Sequence, residues 1–155
     1  MALKYNYKEA DRLIEELEHF VHWAKDTPKP DGKPWRVACL SFYSGQVRKI
    51  KDKLRKYTGN QRKNSRFKKD SVEILLYVVD KFQVREADIV FISMVQTFRD
   101  GFMDSPNRLN VALTRARYQR VIIGKKNYFL GSDSDALKHL ANIHKKKVSK
   151  DIYSV

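Results

Sequence analysis

Three short runs constrain this chain more than any other feature. Arg36–Phe42 (R-V-A-C-L-S-F), Ile89–Val95 (I-V-F-I-S-M-V) and Tyr118–Gly124 (Y-Q-R-V-I-I-G) carry apolar residues at consecutive positions, not alternate ones. Strands of that pattern need cover on both faces, the condition of a parallel sheet flanked by helices. Neighbouring segments can supply the cover. Tyr7 to Lys25 places Ala10, Leu13, Ile14, Leu17, Phe20, Val21 and Ala24 at helical spacing, which makes an amphipathic helix. It ends before T-P-K-P-D-G-K-P, where three prolines and a glycine forbid helix and sheet alike. Ser44 is read as the cap of a second helix through Tyr57, with Val47, Ile50 and Leu54 facing inward. Gly59 to Asp70 reads as a polar surface loop. Val72–Val79 (V-E-I-L-L-Y-V-V) fits a strand or a buried helix, its β-branched content and length favouring a strand open to a break near its middle, and Asp135 to Lys146 reads as a last helix. Alternating strands and helices predict an α/β fold with a mainly parallel sheet, one domain over residues 1–155 with frayed ends at 1–6 and 147–155.

The stretch Pro106–Arg117 (P-N-R-L-N-V-A-L-T-R-A-R) carries the chemistry. As a helix it sets Arg108, Ala112 and Arg115 on one face and Leu109, Leu113 and Ala116 on an apolar one. Pro106 stands at its start, where a missing N–H costs nothing. Two guanidiniums presented rigidly ahead of a core strand suit recognition of phosphate oxygens. The same residues would also serve as a solvated basic surface.

Charge points the same way. Thirty-two Lys+Arg against eighteen Asp+Glu give a net charge of +14, which predicts an anionic partner, most commonly nucleic acid. Basic residues crowd Arg48 to Lys69, Arg62, Lys63 and Arg66 among them. Asp52 is the one acid there, and Tyr57 and Phe67 are interleaved as candidates for base stacking. The single Cys39 excludes an internal disulfide and reads as a core residue. No apolar stretch approaches the ~18 residues of a membrane span, and Met1 to Tyr7 is no signal peptide. An intracellular location (cytoplasm, nucleoid or nucleus) is therefore expected. His19 and His22 lie three apart on the first helix with no third ligand converging, so no metal site is expected. G-x-x-x-x-G-K-[ST] does not occur.

Several pieces match one family in order. S-F-Y-S-G-Q at 41–46, V-D-K-F-Q-V-R-E-A-D-I-V at 79–90 and G-F-M-D-S-P-N-R-L-N-V-A-L-T-R-A-R at 101–117 resemble motifs IV, V and VI of superfamily 1 helicases. The nearest branch contains the nonsense-mediated-decay RNA helicase and Dna2-type DNA helicases, and the likeness covers roughly residues 5 to 145. The resemblance implies a RecA-like three-layer sandwich with helices on both faces of the sheet, the second of two motor domains. Arg115 matches the arginine finger that reaches the γ-phosphate of ATP. Glu86 matches the acid that contacts the nucleotide sugar, Gln83 is its neighbour, and Arg108 and Arg117 are supporting residues. Ser41, Tyr43 and Gln46 occupy motif IV positions; Ser93 and the link through Arg99 lie where the family touches the nucleic-acid backbone. Phe42 stands where the family has proline. Val84 replaces a glycine, at a turn where a β-branched residue fits poorly if φ is positive.

The same resemblance implies that ATP and Mg²⁺ are held mainly by a first RecA-like domain of the same chain. It also implies a single-stranded nucleic acid as track, no membrane partner and a monomer. The expected function is part of an ATP-dependent DNA or RNA helicase, inactive as this isolated chain. The alternatives are a stand-alone nucleic-acid-binding module without motor activity and, from the arginine face, a protein-interaction domain.

Overall fold

The computed structural model describes residues 5–60, 65–82, 86–95, 112, 114–124, 146–147 and 153–154. In order these form α1 (Tyr7–Lys25), β1 (Trp35–Ser41), α2 (Ser44–Thr58), β2 (Arg66–Lys69), β3 (Val72–Val78) and a 3₁₀ turn (Val79–Phe82). They continue with β4 (Ala87–Ser93), β5 (Ala116–Gly124), β6 (Lys146–Lys147) and β7 (Tyr153–Ser154). The described strands make one sheet in the order β2-β3-β1-β4-β5-β7-β6. Its centre is parallel: β1 runs with β3 and β4, and β4 with β5. The outer strands pair antiparallel, β2 on β3, β7 on β5 and β6 on β7. This is an α/β, RecA-like fold.

Consecutive apolar residues in the strands feed two cores, because successive side chains point to opposite faces. On one face Val37, Cys39, Ile74 and Phe91 meet Leu13 and Leu17 of α1 and Ile50 and Leu54 of α2. On the other, Ala38, Leu40, Val90 and Ile92 pack with Phe82 of the 3₁₀ turn and with Ala112. Asn6 caps α1, its Oδ1 accepting the Glu9 N–H at 3.1 Å. Gly59, at φ 75°, ends α2 in the left-handed conformation that glycine adopts without penalty.

Four expectations need correction. Gly59 to Asp70 is not all loop, since Arg66–Lys69 forms β2, turned into β3 through Asp70 and Ser71. Only Phe67 of its four residues is buried, so this edge strand carries no alternation long enough to read. Strand β3 is unbroken from Val72 to Val78 because both its faces are covered, and the chain bends only at Val79. Tyr43, not Ser44, holds the cap position of α2, without a side-chain cap bond, and Ser44 is the first helical residue. Of the expected helix over 106–117, Thr114 is helical and Arg115 lies in a turn, but Ala116 already pairs with Ala87, which puts Arg117 on β5. Ala112 sits in the core on the face of the sheet that holds Leu40, Val90 and Ile92. Asn6 caps a helix, and Tyr153 and Ser154 pair with Gly124 and Ile123. The expected helix Asp135–Lys146 lies outside the described residues except for Lys146, which belongs to β6. Among the described residues no helix is long and apolar enough to cross a membrane.

Cys39 is fully buried at the middle of β1, and burial pushes its thiol up to about 12. The thiolate is the reactive form, so Ellman's reagent at mildly alkaline pH should leave the native chain unlabelled and label it after denaturation. Rapid labelling of the native chain would contradict the packing of β1.

Candidate nucleotide and nucleic-acid interface

Because β4 and β5 run parallel, the residues just before them meet at one edge of the sheet. Ala87 pairs with Ala116, and its N–H donates to the Arg115 carbonyl at 3.1 Å. Glu86, Arg115 and Arg117 are thereby gathered. The Glu86 carboxylate accepts from Arg117 Nη2 at 3.2 Å and Nε at 3.4 Å, and both side chains are largely exposed. Among the described residues its partner is thus on β5, 31 positions away in sequence. Arg115 is half-buried, and its Nε is buried with no hydrogen-bond partner among the described residues. Arg12 and Arg55 share that property, but they lie on α1 and α2, whereas Arg115 stands beside Glu86 and Arg117. Gln83, Val84 and Arg108 lie outside the described residues.

A charged cleft of ≈ 340 Å³ adjoins this edge, lined in part by Lys29, Arg36, Glu73, Glu86, Asp88 and Arg117. Lys29 Nζ donates to Asp88 Oδ2 at 3.0 Å and lies 3.5 Å from Asp31 Oδ2. The same Asp88 oxygen accepts the Arg36 N–H at 2.8 Å. This pair is buried, with side-chain exposures of 7% and 2%, and it pins the proline-rich loop to the starts of β1 and β4. Burial works to lower the Lys29 pKa, but the hydrogen bond and charge of Asp88, helped by Asp31, outweigh it and the pKa is raised. Nothing periodic marks Lys29 or Asp88 in the sequence, which is why both were missed. Their one signal is a charged residue at the head of an apolar run.

The opposite edge of the sheet holds Ser41, Tyr43, Gln46 and Ser93. Ser41, Gln46 and Ser93 are fully buried. Ser41 Oγ accepts the Tyr43 N–H at 3.3 Å. Gln46 Nε2 donates to Ser93 Oγ at 2.9 Å and to the Asn6 carbonyl at 3.0 Å, while its Oε1 accepts the Asn6 N–H at 2.8 Å. Ser93 Oγ in turn donates to Glu9 Oε1 at 2.9 Å. Gln46 and Ser93 thereby tie α1 and α2 to β4. Tyr43 is half-buried and Arg66 is exposed. Arg62, Lys63 and Arg99 lie outside the described residues.

The basic run is less open in space than along the chain. Lys53 forms an ion pair with Asp11 of α1, Lys49 Nζ sits 4.8 Å and 4.9 Å from the ring centres of Tyr5 and Tyr7, and Lys69 Nζ sits 5.2 Å from that of Tyr57. Phe67 is buried in the core and offers no face to a base.

Comparison with known proteins agrees with this architecture. Residues 2–127 match the family described as AAA domain. Over 97 residues, 59% of this chain, it is 41% identical to the regulator of nonsense transcripts 1 homolog of Neurospora crassa. Over 127 residues, 80% of the chain, it is 34% identical to DNA polymerase alpha-associated DNA helicase A of Saccharomyces cerevisiae. An uncharacterized ATP-dependent helicase of Methanocaldococcus jannaschii is 29% identical over 79% of the chain. The matched parts are 8%, 16% and 15% of those proteins. The chain belongs to the AAA-domain family of superfamily 1 helicases, in the branch that includes the regulators of nonsense transcripts.

The Lys29–Asp88 pair makes a pH prediction. A lysine whose folded pKa is raised above its unfolded value stabilises the fold fully below that value, near 10.4, and the contribution is lost as pH rises through the folded pKa. Lys29→Met should therefore lower unfolding free energy by ~3 kcal/mol, since it strands a buried carboxylate. The deficit should hold steady through neutral pH and narrow above about pH 10.4. Denaturant unfolding across that range checks this; a deficit that widens in alkali would contradict it.

Proposed function

We propose that this chain is the second RecA-like domain of an ATP-dependent DNA or RNA helicase. In this reading it supplies an arginine finger and part of the nucleic-acid track to an ATP site completed by a first RecA-like domain. The observation that carries the reading is Arg115, next to Glu86 and Arg117 at the start of β5, with a buried Nε that no described residue satisfies. A buried guanidinium N–H without a partner is disfavoured, and a phosphate oxygen is the acceptor that a planar fork fits.

ATP, when bound, supplies the phosphoryl group. Arg115 would offer its guanidinium to the terminal phosphate oxygens, and Glu86 would face the sugar. The Glu86–Arg117 bond is exposed and therefore weak, so either partner can turn to a ligand at small cost. Gln83 and Arg108 would complete the nucleotide side. Tyr43, Arg66, Arg62, Lys63 and Arg99 would belong to the track at the other edge, while Ser41, Gln46 and Ser93 hold the backbone that presents it. Relatives whose names call them helicases, and an excess of fourteen positive charges, support the reading.

Two measurements test it. In the complete helicase, Arg115→Ala should reduce ATP turnover by about 10³-fold or more while leaving ATP affinity nearly intact. Arg115→Lys should fail as well, because a point charge does not reproduce the fork. Wild-type turnover in Arg115→Ala would remove the finger. Separately, this chain should bind single-stranded oligonucleotides with an affinity that falls steeply with salt, by ~0.7 in log–log slope for each phosphate contact. Charge reversal at Arg62, Lys63 and Arg66 should flatten that slope, and an unchanged slope would return them to ordinary surface.

A further inference from the structure

Among the described residues four large apolar side chains stand exposed: Tyr5, Tyr7, Trp23 and Tyr118. Trp23 and Tyr118 close on Trp35, their ring centres 5.6 Å and 5.5 Å from it. Tyr5 and Tyr7 belong to neither core. They meet each other edge to face, with ring centres 5.1 Å apart and planes at 75°, and they share one cation. Lys49 Nζ lies 4.8 Å from one ring centre and 4.9 Å from the other, close enough to interact with both π-systems.

The backbone puts the two rings together and holds them at a particular place. Asn6 between them is extended, at φ −143° and ψ 110°, so its two neighbours leave the chain on the same side. Its N–H donates to Gln46 Oε1 at 2.8 Å, its carbonyl accepts Gln46 Nε2 at 3.0 Å, and its side chain caps α1. Gln46 in turn donates to Ser93 at the end of β4. The tyrosine pair is therefore fixed to the edge where β1 and β4 end, the edge proposed to face a nucleic acid. Burial does not account for rings at this spot. Tyr5 is 46% and Tyr7 51% exposed, which leaves ring surface open beside Lys49. Lys8 and Arg48, each next in sequence to one of these three residues, are exposed as well, so the surroundings favour an anionic partner.

We propose that Tyr5 and Tyr7, braced by Lys49, form a stacking platform for the bases of single-stranded nucleic acid. Every base has a π-face, so such a platform adds affinity without sequence preference, while the flanking cations answer the phosphates. The inference rests on the proposed function and deepens it, adding a base contact to the proposed phosphate contacts.

The test compares oligo-dT with an abasic oligonucleotide of equal length, which keeps the phosphates and lacks the bases, with folding followed by circular dichroism. At low salt the unaltered chain should bind oligo-dT about ten-fold tighter or more, and equal affinity for the two strands overturns the inference. Tyr5→Ala with Tyr7→Ala should weaken oligo-dT binding by about ten-fold or more. Affinity for the abasic strand and the salt slope should not change, because no phosphate contact is removed. Tyr5→Phe with Tyr7→Phe should stay within about two-fold of the unaltered chain, since the ring and not the hydroxyl stacks. Unchanged oligo-dT binding in the alanine pair, an equal loss for both strands, or a large loss in the folded phenylalanine pair overturns the inference alone. Should the alanine pair fail to fold, Tyr5→Leu with Tyr7→Leu keeps apolar bulk without a π-face and decides by the same criteria. Failure of the unaltered chain to bind either strand overturns the proposed function and this inference with it.

Discussion

Parallel pairing of β1, β4 and β5 is the constraint on which the rest of the molecule depends. Parallel strands put all their starts at one edge and all their ends at the other. Residues far apart in sequence, Glu86 before β4 and Arg115 before β5, therefore become neighbours, as do Ser41 at the end of β1 and Ser93 at the end of β4. A seven-residue strand such as β4 spans roughly 20 Å. That is the separation between the edge proposed to face a nucleotide and the edge proposed to face a nucleic acid. Parallel strands need burial on both faces, and the two cores provide it, one under α1 and α2 and the other under Phe82 and Ala112.

Different interactions hold the two edges, and the difference separates scaffold from the groups proposed to face ligands. At the starts of the strands, Lys29 and Asp88 form a buried pair whose disruption would strand a charge. Glu86 and Arg117 form an exposed pair that water and salt already weaken. The first fixes the proline-rich loop, and the second is free to exchange partners. At the ends of the strands, Gln46, Ser93 and Glu9 form a hydrogen-bonded chain without solvent exposure. In a medium of low polarity such hydrogen bonds are electrostatically strong, and they join α1, α2 and β4 at the edge proposed to face a nucleic acid.

What could be read from the sequence follows from what is local. The runs 36–42 and 89–95 were legible because two-sided burial leaves contiguous apolar residues. Helix α1 was legible because one-sided burial leaves a stripe; its bounds, Tyr7–Lys25, coincide with the expected ones. Strand β2 was not, because an edge strand with Phe67 as its one buried residue has no pattern. Ala112 misled because a small residue between arginines looks like a gap in a basic face, whereas it is buried in the core. Arg115 and Glu86, on which the proposed function rests, stood out through motif likeness. Lys29, Asp88 and Glu9 did not, since their bonds close over 59 and 86 residues. Ser41, Gln46 and Ser93 stood out as polar residues near strand ends. Their type does not tell whether such a residue faces a ligand or its own interior.

The central claim is that the edge formed by Glu86, Arg115 and Arg117 is half of a nucleotide site, incomplete without a phosphate cradle. The 155 residues contain no G-x-x-x-x-G-K-[ST] segment to wrap phosphates. Calorimetric titration of ATP with Mg²⁺ into this chain alone tests the claim most directly. The account predicts no binding in the micromolar range. Micromolar affinity that Arg115→Ala abolishes would contradict it, because the edge would then be a complete site in its own right.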